Sequence, residues 1–121
     1  MNGANEENAE KALHYLLSSS DDHAQATAES RQLYQAIKET LPDLLRETEA
    51  EGYLKAEGSE QKRKSEARTT EDYKEVVKKR QEVLDQYREA EYRRQRLENG
   101  REAARLTLSC WQTSVRNTPQ V

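Results

Sequence analysis

Phenylalanine is absent from this 121-residue chain, which holds only one cysteine, two prolines, four glycines, one tryptophan and six tyrosines. So little proline and glycine argues against a turn-rich β-sandwich and against a disordered Pro/Gly segment. The lone Cys110 cannot close an internal disulfide, and nothing reads as a stapled secreted scaffold. Hydrophobic residues make up 33%, below the roughly 45–50% apolar share of ordinary globular domains, so a thick core is not expected. No run approaches the ~20 apolar residues that span a bilayer. Residues 1–10 carry three glutamates and no apolar stretch, unlike a secretory signal. These absences lead to the expectation of a cytoplasmic protein without membrane contact. It should be a single all-α domain over residues 1–121, with its apolar residues confined to a narrow seam.

Catalytic and metal chemistry is equally sparse. Gly3, Gly52, Gly58 and Gly100 stand alone, so no glycine-rich phosphate loop exists. His14 and His23 are the only imidazoles and share no metal-ligand spacing. Glu10 and His14 lie one helical turn apart, whereas a di-iron bundle needs a Glu three residues before a His on two helices. Cys110 lacks a second thiol for zinc and an evident base. The chain is expected to be no enzyme and to carry no cofactor and no metal.

What the chain does have is helical periodicity and charge. Residues 1–7 read as disordered. A first helix is expected over about 7–18, where Ala9, Ala12, Leu13, Leu16 and Leu17 share one face. Ser18 to Asp22 then break the pattern and offer N-caps. A second segment over about 22–58 carries Leu33, Tyr34, Ile37, Leu41, Leu44, Leu45 and Thr48. Pro42 interrupts it, giving either a kink or a new helix capped by Thr40. Residues 58–69 show no apolar stripe and read as an exposed helical end or a loop at the tip. From Thr69 or Thr70 a helix should run to about residue 117, ended by Asn117-Thr118-Pro119. Its heptad frame puts Tyr73, Arg80, Tyr87, Arg94, Arg101, Leu108 and Val115 at a, and Val76, Val83, Ala90, Leu97, Ala104 and Trp111 at d. The expected architecture is a long antiparallel, coiled-coil-like helical hairpin with the short N-terminal helix packed at its base. Leu13, Leu16, Leu17, Leu108, Trp111 and Val115 would form the structural anchor there, with Trp111 at its centre.

Charge divides along the chain. Residues 1–60 hold 13 acidic against 5 basic side chains, and residues 61–121 hold 15 basic against 10 acidic. Either the two halves attract each other, with Arg80 near Glu47 and Glu51, or the basic half faces an external polyanion. The arginines at a positions either snorkel toward glutamates or mark a seam open to a partner. Two basic groups are candidate nucleic-acid or partner contacts. One is Lys62, Arg63, Lys64 and Arg68 at the tip; the other is Arg88, Arg93, Arg94, Arg96, Arg101 and Arg105. In the second group the arginines spread around the helix and glutamates dilute them, unlike a dedicated DNA-binding basic region.

Several ordered clusters carry a resemblance: Lys11-Ala12-Leu13 with Tyr15-Leu16, Ala50-Glu51-Gly52, Glu71-Asp72-Tyr73, and Glu102-Ala103-Ala104-Arg105-Leu106 followed by Trp111 and Arg116. From about Lys11 to Asn117 the chain resembles a family of small helical bacteriophage and prophage proteins of unassigned function, encoded among early recombination and replication genes. The resemblance implies an accessory protein of the host-cell cytoplasm acting near DNA recombination. Another protein, a phage recombination protein or a host factor, is the expected partner. Direct nucleic-acid binding through residues 62–105, and a host-directed inhibitor using the acidic face of residues 39–60, are the alternatives. A hairpin alone covers one side of each stripe, so a homodimer is also expected.

Overall fold

The computed structural model describes residues 5–117, and among them every regular element is helical. Helix α1 spans Glu6–Ser18, α2 Ser20–Gln35, α3 Leu41–Lys55, α4 Glu60–Ala67 and α5 Glu71–Asn117, with a π-helical turn over Ala36–Thr40 joining α2 to α3. None of these helices is long and apolar enough to cross a membrane. Residues 1–4 of the expected disordered start, and the Thr118-Pro119 stop, lie outside the described residues.

The helix ends follow from local chemistry. Asn5 Oδ1 accepts from Glu7 N at 2.7 Å, so α1 begins at Glu6, with Glu6 and Glu7 at the positive end of the helix dipole. The break after α1 is a single residue, the buried Ser19. Thr70 Oγ1 accepts from Tyr73 N at 3.2 Å and opens α5. At Pro42 no Thr40-capped helix forms, since Thr40 has helical angles and makes no capping bond, and the chain stays helical through the proline. Instead the preceding turn widens, and Leu41 N bonds to Ala36 O, five residues back. Pro42 has no N–H to offer Lys38 O and its ring would crowd that carbonyl, so an extra residue in the turn relieves both problems.

The tip takes the helical one of its two expected forms, as a separate helix. Residues 60–67 form a helix although they lack an apolar stripe. Ser59 caps it, Gly58 supplies the left-handed turn at φ 115°, and the only buried residue of α4 is Ala67.

The chain divides into two compact units, Met1–Ala28 with Glu91–Val121, and Glu29–Ala90, the boundaries falling inside α2 and α5. Within Glu29–Ala90, α4 packs on α3 with Ala67 against Gly52, where an added Cβ would lie 3.0 Å from Ala67 Cα. Leu41 and Thr48 are buried on α3, and Tyr34 meets Tyr87 with ring centroids 5.9 Å apart. Within the other unit, Ala9, Ala12, Ala26 and Ala104 are buried, and Tyr15 lies directly over Gly100.

Along α5 the less exposed positions follow the heptad frame. Tyr73, Val76, Val83, Tyr87 and Ala90 belong to one unit, and Arg94, Leu97, Arg101, Ala104, Leu108 and Trp111 to the other. Arg80 is exposed, however, and the groove opposite Glu47 and Glu51 is lined by Lys78 and Lys79 instead. The expected N-terminal anchor is likewise not a closed core. Leu16, Leu108 and Trp111 are half-buried, while Leu13, Leu17 and Val115 are exposed. Small residues take the buried positions in this unit, which leaves the large side chains on the flanks.

Candidate interaction surfaces

Two arginines from the predicted basic groups are structural. The Arg101 Nη1 donates to Leu16 O at 2.7 Å and to Ser19 Oγ at 2.9 Å. Leu16 O is among the last carbonyls of α1, which have no partner inside the helix. In the other unit, Arg63 donates through Nε and Nη2 to Tyr53 O, at 3.2 and 3.0 Å, and its guanidinium stacks 4.1 Å from the Tyr53 ring centroid. Tyr53 O plays the same part at the end of α3.

Most of the remaining basic candidates also bond within the chain. Arg68 Nε lies 3.2 Å from Glu49 Oε1, which fastens α4 to α3. Lys62 and Lys64 sit near Glu66 and Glu60 at 4.0 and 3.3 Å, one turn along α4. Arg88 pairs with Asp85, Arg94 with Glu91, and Arg105 with both Glu98 and Glu102. Arg93 also makes an interaction of its own. With Arg96, it lines a cleft of about 480 Å³ together with Tyr15, Asp22, Gln25 and Leu97. Exposed ion pairs of this kind are individually weak, about 0–1 kcal/mol each. Their combined effect is that nearly every cation has a carboxylate or carbonyl beside it, so the two groups form no continuous basic stripe.

One surface escaped the sequence reading, and a second extends the acidic face of residues 39–60. On α3 and α4, Tyr53, Leu54 and Ala50 line a depression of about 440 Å³ rimmed by Arg46, Glu49 and Lys64. Leu54 is 76% exposed there. Leu54 lies about 200° around α3 from the buried Gly52, off the apolar stripe, so periodicity does not mark it. Between α3 and α5 a groove of about 600 Å³ collects Glu47, Glu51, Asp72, Glu75 and Glu82 around Lys78 and Lys79, with Leu44 and Val76 at its base. His23 Nε2 faces Glu98 Oε2 beside the Arg101 contacts, an ion pair when the imidazole is protonated. Among the described residues, no group of three or more His, Cys, Asp or Glu side chains is placed to hold a metal ion.

Comparison of the chain with protein-family models, curated proteins and solved structures finds no match.

Proposed function

We propose that this chain is a non-enzymatic accessory protein that acts by docking on another protein. The setting implied by the sequence resemblance is phage DNA recombination or replication in the host cytoplasm. The observation that carries this reading is the α3–α4 depression: Leu54 is exposed beside the half-buried Tyr53, while the cations suited to a polyanion bond to the chain's own acceptors. Exposed apolar groups rimmed by polar ones suit a protein partner, and a locally neutralised basic tract suits nucleic acid poorly. The architecture proposed with it is an antiparallel helical hairpin with α1 at its base. The Tyr34–Tyr87 contact supports this in one unit, and the Arg101 bonds to Leu16 and Ser19 support it in the other.

The experiment compares capture from infected-cell extract by the wild-type chain and by Leu54→Lys, a change at an exposed side chain that leaves the fold intact. A protein retained by the wild type and lost with the variant supports the reading. Duplex or single-stranded DNA binding that weakens steeply between low and moderate salt would overturn it in favour of direct nucleic-acid binding. A second reading draws on the acidic α3–α5 groove, whose five carboxylates outnumber its two lysines. That groove suits a basic protein surface, as a host-directed inhibitor would need. Glu47→Gln with Glu51→Gln would then abolish capture while Leu54→Lys would not.

A further inference from the structure

The cleft bounded by α1, α2 and α5 differs from the rest of the arginine-bearing stretch. Its lining, Tyr15, Asp22, Gln25, Arg93, Arg96 and Leu97, belongs wholly to the unit that contains α1. Arg88, Arg94, Arg101 and Arg105 bond to acceptors of the chain, and Arg93 has an interaction of its own. Arg96 makes none with any described residue, and the same holds for the side chains of Asp22 and Gln25 and for the Tyr15 hydroxyl. Four of the five polar side chains around this cleft therefore keep their bonding capacity for something outside the chain. Its volume of about 480 Å³ falls within the roughly 300–1,000 Å³ of small-molecule sites. The lining is divided by charge. Arg93 and Arg96 stand one turn apart on α5, and Asp22 and Gln25 one turn apart on α2. Gly100 gives the Tyr15 phenol room against the backbone of α5, the helix that carries both arginines.

We infer that this cleft binds a phosphomonoester carrying a planar base, the chemistry of a nucleoside monophosphate. A ligand that is anionic at one end and bears hydrogen-bond donors at the other matches a cationic wall on α5 and a carboxylate on α2. A phosphomonoester carries about −1.5 to −2 charges at pH 7, which suits two guanidiniums better than a single carboxylate does. The Tyr15 hydroxyl adds a neutral donor for a phosphate oxygen. Leu97 and the body of the Tyr15 ring offer apolar surface to the base, as aromatic and aliphatic side chains do at base-binding sites. Asp22 and Gln25 then meet the base edge. A carboxylate accepts hydrogen bonds and donates none, so an exocyclic amine is favoured there over a carbonyl. Cytosine is thus preferred to uracil, which differs from it by that exchange.

This cleft lies in the other unit from the Leu54 depression and does not depend on the docking proposed there. The test is calorimetric titration of the full chain with CMP, UMP, inorganic phosphate and a single-stranded oligonucleotide. CMP is expected to bind, with UMP and inorganic phosphate weaker. Arg96→Gln should weaken CMP binding by about tenfold or more, since a charge-assisted bond is lost. Tyr15→Phe should weaken it less, and Asp22→Asn should narrow the gap between CMP and UMP. Each variant removes a group that bonds to no described residue, so circular dichroism should remain that of the wild type. Absence of CMP binding up to about 1 mM overturns the inference. So does CMP binding left unchanged by Arg96→Gln, or inorganic phosphate bound as tightly as CMP. An oligonucleotide bound more tightly than CMP overturns it as well, since the arginines would then serve a polymer backbone. Partner capture that depends on Leu54 should be unaltered by Arg96→Gln, so the failure of one proposal is distinguishable from the failure of the other.

Discussion

At the end of α1, Arg101 reaches across from α5 to donate to Leu16 O, and at the end of α3, Arg63 reaches back from α4 to donate to Tyr53 O. Beside each arginine contact a glycine admits a close neighbour: Gly100 under Tyr15 and Gly52 under Ala67. The two units thus close their helix ends with the same pair of devices, an arginine on an unpaired carbonyl and a glycine where a Cβ would collide. They differ in what carries the device. Arg101 sits within the 47 residues of α5, which cannot fray at that point, whereas Arg63 sits on an 8-residue helix that has little stability of its own. In the first unit the arginine joins two established helices. In the second it holds a marginal helix in place.

That difference can be broken by mutation. The largest effect is expected from Arg101→Met, which strands Leu16 O and the buried Ser19 hydroxyl; a loss of about 2–3 kcal/mol should appear in urea unfolding. Gly52→Ala comes next. The obstacle is the backbone of Ala67, so α4 as a whole must shift, and a cost of about 1–3 kcal/mol is expected in a thermal melt. Arg63→Met should lower global stability by about 1 kcal/mol or less, yet raise amide exchange across residues 60–67 selectively. A uniform rise in exchange throughout the unit would show that α4 is an integral part of it. The smallest change is expected for Gly100→Ala. Here the obstacle is the tip of the Tyr15 side chain, which can swing aside, and the helix gains roughly 0.5–1 kcal/mol from losing a glycine. A near-zero shift in melting would confirm the contrast with Gly52, and a loss as large as that of Gly52→Ala would erase it.

The heptad frame of α5 is legible in the sequence because apolar residues recur at every d position over six heptads, a pattern that a helix packed along its length produces. Every one of those d positions is at least half-buried. Helix α4 is not legible in the same way. It is held by Ala67, Arg63 and Arg68, one small residue and two cations, none of which registers as a hydrophobic stripe. Ser59 followed by Glu60 is the one hint, a capping residue before an acidic first turn. The roles of Arg63 and Arg101 are hidden for a different reason. Both bond to backbone carbonyls, and the sequence does not mark which carbonyl a side chain will find. The anchor around Trp111 shows the reverse error. Large apolar residues draw the expectation of burial, but Ala9, Ala12 and Ala104 occupy the buried positions, leaving Leu13, Leu17 and Val115 exposed.

The π turn at Ala36–Thr40 has a consequence for how this chain can change length. A π turn is an α-helix with one residue too many, and both flanking helices keep their angular phase around it. Losing one residue from 41–43, between the turn and Leu44, would rotate Leu44, Thr48 and Gly52 by about 100° relative to α2 and turn the buried side outward. Losing it within 36–40 would preserve phase but restore the four-residue turn that Pro42 forbids. The extra residue and the proline are therefore one inherited unit. A deletion in the turn is tolerated only in company with Pro42→Ala.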